Sequence, residues 1–410
     1  MSFSSLSLQA ELVEHLARLG YEQPTPIQQQ AIPVVLAGKD VLAGAQTGTG
    51  KTAAFALPII QKLVNTSPCE HQERTRALIL VPTRELAQQV NQSIQTYAEH
   101  TQISSLMVYG GVSIKAQADA IKAGADIIVA TPGRLLDHLR NRVMTLSNIS
   151  QLVFDEADRM LDMGFRDEII EVLKRLPKER QTLLFSATLD ERIFKFSKRL
   201  LQSPQVIETS ERNTTAAKIV ERVYNLDANK KMPALCHLIN KESWQQALIF
   251  SRTKQGADKV AAQMKQAGVN AAAFHADLSQ AVRESVLAQF KSGDIKALVA
   301  TDVAARGLDI NELNYVVNIE LPFQNEDYIH RIGRTGRAGK AGQAITLLSV
   351  DDEPQLIKLE AFLDRRLPQQ WLQGFEPDLT QVAPVTRKTK KGSLKQQARQ
   401  KALAQSKKRR

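Results

Sequence analysis

The residues best suited to chemistry form a glycine-rich segment, Ala45–Thr52. It follows an apolar run that ends at Gly44 and precedes a helix-like segment, 53–63. Its glycines let backbone N–H groups approach an anion closely, and the following helix points its positive end at the same anion. Lys51 then reaches the β- and γ-phosphates, and the Thr52 hydroxyl is suited to bind Mg²⁺. The segment predicts a nucleoside triphosphate site, because the alternative, a glycine-rich turn without function, explains neither the strand before it nor the helix after it.

A second candidate site is the acidic segment Asp155-Glu156-Ala157-Asp158, which directly follows the apolar run Gln151–Phe154. The carboxyl ends of parallel strands face the crevice where doubly wound sheets bind ligands. Asp155 is suited to hold Mg²⁺ together with Thr52, and Glu156 to orient and deprotonate an attacking water molecule. Alone, such a cluster is more often a solvated helix start. The preceding strand favours the catalytic interpretation.

Composition places the chain among globular proteins of a reducing compartment. Its 410 residues predict two domains plus extra segments, and a hydrophobic share of 43% suffices for two cores. Cys69 and Cys236 lie far apart and lack metal-ligand spacing, which argues against a disulfide framework. No run of membrane-spanning length and no signal-peptide pattern is present. We therefore expect a cytoplasmic protein that does not engage membranes.

The excess positive charge is concentrated in residues 379–410. This segment holds eleven Lys or Arg residues and no acidic residue, whereas the other 43 of the 54 basic residues are balanced by 43 acidic ones. Such a composition predicts a disordered basic tail attracted to polyphosphates without regard to sequence. A tail that only improves solubility is the alternative.

Apolar runs without polar alternation indicate parallel strands buried on both faces, and helical segments separate them. This pattern predicts a doubly wound α/β sheet in each half of the chain, joined by a polar linker around 203–218. The expected strands are Val41–Gly44, Ala77–Val81, Leu106–Tyr109, Asp126–Ala130, Gln151–Phe154 and Thr182–Phe185, then Ala247–Phe250, Ala271–Phe274, Ala297–Ala300, Tyr315–Ile319 and Ala344–Leu348.

The acidic segment spells the box that gives the DEAD-box RNA helicases their name, and other segments resemble that family's motifs in the same order. Tyr21–Gln28 resembles the Q motif, and the family accepts alanine at position 45 of the phosphate loop. In the second half, Ile249–Arg252, Ala300–Asp309 and His330–Arg337 are similar to family motifs. The resemblance spans roughly residues 3–350, and Asp158–Phe165 is most similar to the bacterial RhlE-like group.

For the nucleotide, the resemblance implies an ATP site shared by both halves. Gln28 offers a donor and an acceptor that match adenine, and Tyr21 offers an aromatic face. Arg334 and Arg337 would act as arginine fingers, and Asp309 would bond the ribose. The implied catalytic residues are Lys51, Asp155, Glu156, Arg334 and Arg337. The implied cofactor-binding residues are Tyr21, Gln28, Ala45, Gln46, Thr47, Gly48, Thr49, Gly50, Lys51, Thr52 and Asp309.

For RNA, the resemblance implies contacts from both halves. Small residues and N–H groups at strand ends allow close approach to phosphates, and 2′-hydroxyls distinguish RNA from DNA. With aromatic residues at only 5%, we expect backbone contacts rather than base readout. The implied RNA-binding residues are Pro82, Thr83, Arg84, Gly110, Gly111, Thr131, Gly133, Arg134, Arg252, Gln280, Arg283, Thr301 and Asp302. Residues implied to couple hydrolysis to unwinding are Asp158, Ser186, Thr188 and His330.

We therefore predict an ATP- and Mg²⁺-dependent RNA helicase of two tandem RecA-like domains. The expected divisions are a Q-motif region 1–39, a first domain 40–208, a linker 209–217, a second domain 218–365 and a tail 366–410. An ATP-gated RNA clamp or chaperone and a DNA helicase are the rival interpretations. We expect a monomer, and ribosome-assembly and RNA-decay partners are both compatible with the sequence.

Overall fold

The structure is a computed structural model that describes residues 2–45, 48–66, 74–209, 219–305, 313–336 and 342–378. In the first half, seven parallel strands form one sheet in the order β3-β4-β2-β5-β6-β1-β7. Its central strands are buried on both faces, as expected of apolar runs covered by helices. The strands are β1 Val41–Gly44, β2 Ala77–Leu80, β3 Ser105–Val108, β4 Ile127–Ala130, β5 Gln151–Phe154, β6 Gln181–Ser186 and β7 Gln205–Glu208.

Helices cover both faces of this sheet, and the sheet separates two apolar cores, one on each face. A 3₁₀-helix, Phe3–Leu6, and the first two α-helices pack on one face. No described helix is long and apolar enough to cross a membrane. The helices are α1 Ala10–Arg18, α2 Pro26–Leu36, α3 Lys51–Val64, α4 Arg84–Ala98, α5 Ile114–Ala123, α6 Pro132–Arg140, α7 Ala157–Asp162, α8 Arg166–Leu173 and α9 Glu191–Ser197.

The second half repeats this architecture in the order β10-β11-β9-β12-β13-β8-β14, again with parallel neighbours. Its strands are β8 Ile219–Asn225, β9 Ala247–Ser251, β10 Ala271–Phe274, β11 Ala297–Thr301, β12 Tyr315–Asn318, β13 Gly342–Leu348 and β14 Gln369–Trp371. Its helices are α10 Lys231–Lys241, α11 Lys254–Gln266, α12 Gln280–Ser292, α13 Asp302–Ala305, α14 Asn325–Ile332 and α15 Glu353–Leu363, with 3₁₀-helices at Ala228–Lys230 and Val350–Asp352.

The predicted fold class, two parallel-sheet α/β domains, is confirmed. Three strands were not predicted, because they lack a buried apolar run. β7 lies inside the polar stretch around 203–218, at the end of the predicted first domain 40–208, and most of its side chains are exposed. β8 carries Glu221 and Arg222 within its sequence. β14 lies inside the predicted tail 366–410, so the second sheet extends beyond residue 365, and that boundary was wrong. Residues 210–218 and 379–410 lie outside the described residues.

Candidate active site

The phosphate loop connects β1 to α3 at the carboxyl edge of the first sheet. Gly48 and Gly50 adopt positive φ angles of +83° and +88°, a conformation that other residues rarely adopt. A Cβ atom at Gly50 would lie 2.3 Å from Gln28 Nε2, so a larger residue there would be strained by its φ angle and would also displace the Gln28 side chain. Lys51 begins α3, two residues before the helix-like segment 53–63 that was predicted from the sequence. The predicted contacts Gln46 and Thr47 lie outside the described residues.

Lys51 and Asp155 face a cavity of about 570 Å³. Both side chains are buried, and neither Lys51 Nζ nor Asp155 Oδ1 makes a hydrogen bond within the described chain. Burial raises the pKa of Asp155; Lys51 opposes this effect and neighbouring Glu156 adds to it, so that the pKa lies at about 6. Buried polar groups are normally paired. These two atoms therefore fit a ligand with anionic oxygens accompanied by a cation.

Glu156 lies at the N-cap of α7 with φ 57° and ψ 51°, a left-handed conformation for a residue with a side chain. Such strained conformations concentrate at functional sites. Its Oε2 lies 3.1 Å from Arg159 Nη1, and both residues are buried. Glu156 lines the same cavity as Lys51 and Asp155.

The cavity is also lined by Tyr21, Gln28 and Tyr97. The Tyr21 and Tyr97 hydroxyls are 3.2 Å apart, and their rings meet edge to face. Gln28 Nε2 donates to the Gly50 carbonyl at 3.1 Å, and Gln28 Oε1 accepts from the Thr25 N–H at 2.9 Å. An amide has one further N–H and one further lone pair, so the predicted adenine contact stays compatible with this geometry. Gln28 additionally holds the phosphate loop.

The second domain contributes Arg334 to the same cavity. This buried residue follows α14 and lines both the nucleotide cavity and a narrow gap shared by Arg159, Asp302 and His330. The structure thus brings the predicted finger residue together with the predicted carboxylates. The other predicted contributions from this domain, Arg337 and Asp309, lie outside the described residues.

Two of the three predicted coupling residues of the first domain, Asp158 and Thr188, are in direct contact. Asp158 Oδ2 accepts from the Ala187 N–H at 3.1 Å, from the Thr188 N–H at 3.2 Å and from the Thr188 hydroxyl at 3.3 Å. Ser186 ends β6 and is fully buried. The carboxylate therefore ties the start of α7 to the segment that follows β6.

The predicted RNA-binding residues of the first domain lie side by side, because β2, β4 and β3 are neighbours in the sheet. Gly111 has a φ angle of +86°, and a Cβ atom there would lie 2.1 Å from the Arg84 guanidinium. Arg134 Nη1 donates to the Val112 carbonyl at 3.1 Å. The predicted RNA-binding residues of the first domain are Pro82, Thr83 and Arg84 after β2, Gly110 and Gly111 after β3, and Thr131, Gly133 and Arg134 after β4.

Two contacts, which we call the clasp, join this surface to α12 of the second domain. Arg84 Nη1 donates to Gln280 Oε1 at 3.1 Å, and Arg283 Nη2 lies 2.6 Å from Glu85 Oε1. The Arg283 guanidinium also lies over the Phe274 ring, 4.8 Å from its centre, and burial lowers its pKa. Predicted RNA-binding residues from the two domains therefore meet each other.

The remaining predicted RNA-binding residues follow neighbouring strands, β9 and β11. The Arg252 guanidinium donates to the Leu321 carbonyl and lies 3.3 Å from Asp352. Asp302 accepts two hydrogen bonds from Arg331, at 2.5 and 2.7 Å. Arg252 and Asp302 are thus held within the second domain, and Thr301 is buried at the end of β11.

Comparisons with known proteins agree with the motifs. The family model described as DEAD/DEAH box helicase matches residues 25–196, and the helicase conserved C-terminal domain matches residues 230–339. RhpA from Helicobacter pylori, a DEAD-box ATP-dependent RNA helicase, is 43% identical over 366 residues, covering 89% of this chain and 73% of RhpA. CshA from Bacillus subtilis is 41% identical over 367 residues, covering 90% and 73%. The chain belongs to the DEAD-box ATP-dependent RNA helicases.

Solved DEAD-box structures share both domains of this helicase. S. cerevisiae Dbp5 bound to RNA and ADP BeF3 is 30% identical, with a TM-score of 0.80 over 92% of this chain and 95% of Dbp5. Mss116p bound to ssRNA and AMP-PNP is 31% identical, with a TM-score of 0.82 over 91% and 80%. The RecA-like fold and the RNA-stimulated ATPase activity are therefore confirmed. The more specific resemblance to the RhlE-like group stays a prediction.

Three residues of this DEAD-box site were not among the predicted site residues. Glu85 pairs with Arg283, Arg159 pairs with Glu156, and Tyr97 lines the nucleotide cavity. Glu85 and Arg159 lie next to predicted residues along the chain, which was the available signal. Tyr97 had none, because a tyrosine near the end of an amphipathic helix looks like a core residue.

Proposed function

We propose that this DEAD-box helicase hydrolyses ATP in the cavity between its two sheets. The observation that carries the proposal is that Arg334 lines the same cavity as Lys51 and the two carboxylates. Glu156 accepts a proton from the attacking water while the water oxygen bonds to the γ-phosphorus, and ADP leaves. Lys51 and Arg334 stabilise the charge that develops on the transferred group.

Mg²⁺ fits this site. Asp155 Oδ1 is buried without a hydrogen-bond partner among the described residues, and Thr52 lines the same cavity. Mg²⁺ in nucleotide sites needs only one or two protein ligands, since phosphates and water supply the others. Thr52 and Asp155 would hold the ion, and its charge would neutralise the phosphate oxygens during transfer.

We further propose that RNA binds across both domains through its sugar–phosphate backbone. The predicted RNA residues sit at the carboxyl ends of neighbouring strands, and Arg84, Glu85, Gln280 and Arg283 join the two surfaces. ATP and RNA would both favour the joined arrangement, which bends one strand and releases its partner. Hydrolysis would then separate the domains. Strand separation would be local.

A duplex-release assay tests this function against a clamp that only holds RNA. A labelled RNA duplex with a single-stranded overhang is incubated with ATP or with a non-hydrolysable analogue. We expect repeated turnover only with ATP. Retention of RNA without strand release in both reactions would favour the clamp.

Competition between RNA and DNA tests the substrate class. We expect RNA to stimulate ATP hydrolysis and DNA of the same sequence to stimulate it weakly, because DNA has no 2′-hydroxyl groups to bind. Equal stimulation would favour the DNA helicase interpretation.

We propose that the protein acts as a cytoplasmic monomer. RNA crosslinked in cells and sequenced would distinguish ribosome assembly from RNA decay as its setting.

A further inference from the structure

A groove of about 450 Å³ opens on the second domain at the carboxyl ends of β8 and β13, beside α15 and β14. These strands occupy the positions that β1, β6 and β7 occupy in the first sheet, because the two sheets have the same strand order. The phosphate loop follows β1. The groove is therefore the second domain's counterpart of the phosphate site, and its volume falls in the range of ligand pockets.

The chemistry of the groove is opposite to that of the phosphate site. Four carboxylates line it, with Arg366 as the one cation among the described lining residues. Like charge would repel RNA and nucleotides from this surface. The carboxylates belong to Asp227, Glu353, Glu360 and Asp378.

Two of these carboxylates are held in place by neighbours. Asp227 lies 2.8 Å from Lys230 Nζ and accepts from the Asp378 N–H at 3.0 Å. Glu360 Oε1 accepts from the Leu367 N–H at 3.0 Å. Lys230 offsets the charge of Asp227, whereas Glu360 is held by a backbone N–H, so a cationic ligand would not have to order the Glu360 carboxylate first.

Large apolar side chains lie between the carboxylates. Trp371 is 58% exposed and Ile357 is 62% exposed, although both belong to regular elements, β14 and α15. Lone exposed apolar residues are ordinary, but these two line one concave surface with Leu356. The groove therefore suits a segment that combines apolar side chains with Lys or Arg, whose aliphatic stems and charges match both features.

The chain itself supplies such a segment. Residues 379–410 follow Asp378, which forms part of the groove wall, and they contain eleven basic and no acidic residues. Their first part runs from apolar Leu379, Val382 and Val385 to a cluster of charges. That cluster is Arg387, Lys388, Lys390 and Lys391.

We propose that this groove binds the basic segment 379–410 of the same chain. Arg387 follows Asp378 closely in the sequence, and the stretch between them spans up to about 30 Å, enough to reach any part of the groove. A tether this short gives a high effective concentration, so weak contacts suffice. RNA, a stronger polyanion, would compete for the same charges, so the groove would hold the segment only until RNA binds. The competition rests on the chain's RNA-binding function, whereas docking in the groove does not.

Zero-length carbodiimide cross-linking of the full chain tests the docking directly, because it joins carboxylates to lysine amines only where they touch. Mass spectrometry should find Lys388, Lys390 or Lys391 joined to Glu353 or Glu360 in chains of monomer size. An added RNA oligonucleotide should reduce these products. Tail lysines joined equally to acids elsewhere on the surface would overturn the proposal. Joined products found only in cross-linked dimers would assign the groove to a second copy and would likewise overturn it.

Matched variants test the competition separately. Glu353→Gln with Glu360→Gln keeps shape and removes two charges, so the freed segment should raise RNA affinity about fivefold at low salt. Glu99→Gln with Glu191→Gln, exposed positions on the first domain, is the control for net charge. The gain should vanish when Lys388, Lys390 and Lys391 are all replaced by Gln. An equal gain with and without those lysines would show that only long-range charge matters. Intact cross-links without any gain would overturn the competition alone.

Discussion

The two sheets of this helicase have the same strand order, yet equivalent lysines serve different purposes in them. Lys51 begins α3 after β1, and Lys231 begins α10 after β8. Both are buried. Lys51 Nζ makes no hydrogen bond to a described residue, whereas Lys231 Nζ lies 2.6 Å from Asp352 and donates to the Ile319 carbonyl at 3.1 Å.

The difference lies in what precedes and faces each lysine. Gly50, in a left-handed conformation, precedes Lys51, whereas Lys230 precedes Lys231. Asp352 neutralises the second lysine, so its site offers no charge to a phosphate. A shared topology therefore fixes where a ligand binds, and the side chains at the strand ends decide whether that ligand is an anion or a cation. The second domain contributes to catalysis through Arg334 instead.

The largest expected effect comes from removing that contribution. Arg334→Ala should leave ATP binding nearly intact and lower hydrolysis about 10³-fold or more, because arginine fingers act on charge that develops in the transition state. Lys51→Ala should weaken ATP binding as well, since its charge faces the phosphates in the ground state. Fluorescent-nucleotide binding and single-turnover hydrolysis measure the two effects. Hydrolysis by Arg334→Ala at the parental rate would show that Arg334 takes no part in the chemistry.

Glu156→Gln tests whether the first sheet supplies the general base. The amide keeps the shape but cannot accept the water proton, so hydrolysis should fall about 10²–10⁴-fold. ATP and RNA should both still bind, and the complex with both should accumulate. Filter binding with labelled RNA measures this. Glu191→Gln, whose side chain is 82% exposed, is the matched control and should behave like the parent protein. Near-normal turnover in Glu156→Gln would remove this residue from the base role.

The clasp between the two sheets should have a smaller effect. The carboxylate of Glu85 and the guanidinium of Arg283 are buried together, so losing either leaves an unpaired charge in the joined arrangement. Each single alanine variant should raise the RNA concentration for half-maximal ATPase stimulation about tenfold, and the double variant should be less than additive. Arg222→Ala, which breaks an ion pair with Glu242 inside the second domain, is the control. Fully additive effects would show that the pair does not couple the domains.

The clasp also shows where sequence reasoning ends. The phosphate loop and the DEAD segment were readable because glycine, lysine and carboxylates stand at fixed spacing around apolar runs. β7 and β14 were not, because the side chains of edge strands such as Val206 and Trp371 are largely exposed. The hydrogen bond between Arg84 and Gln280 joins residues 196 positions apart, and no local pattern reports such a pairing. Likewise, only the folded chain shows that Gln28 holds the Gly50 carbonyl.

The smallest expected effect concerns the basic residues at 407–410, which follow both domains in the sequence. Replacing Lys407, Lys408, Arg409 and Arg410 by Gln leaves the cavity and the clasp untouched, so ATPase activity at saturating RNA should stay at the parental level. Each single-strand phosphate that the protein no longer neutralises removes about 0.7 from the slope of log affinity against log salt, so the slope should fall by up to about 3. RNA binding across a salt series measures it. The control variant loses four positive charges of the first domain that already pair with carboxylates, so its slope should change less. It carries Lys174→Gln, Arg175→Gln, Arg192→Gln and Lys195→Gln. Equal slopes for the parent and the tail variant would show that these tail charges serve solubility alone.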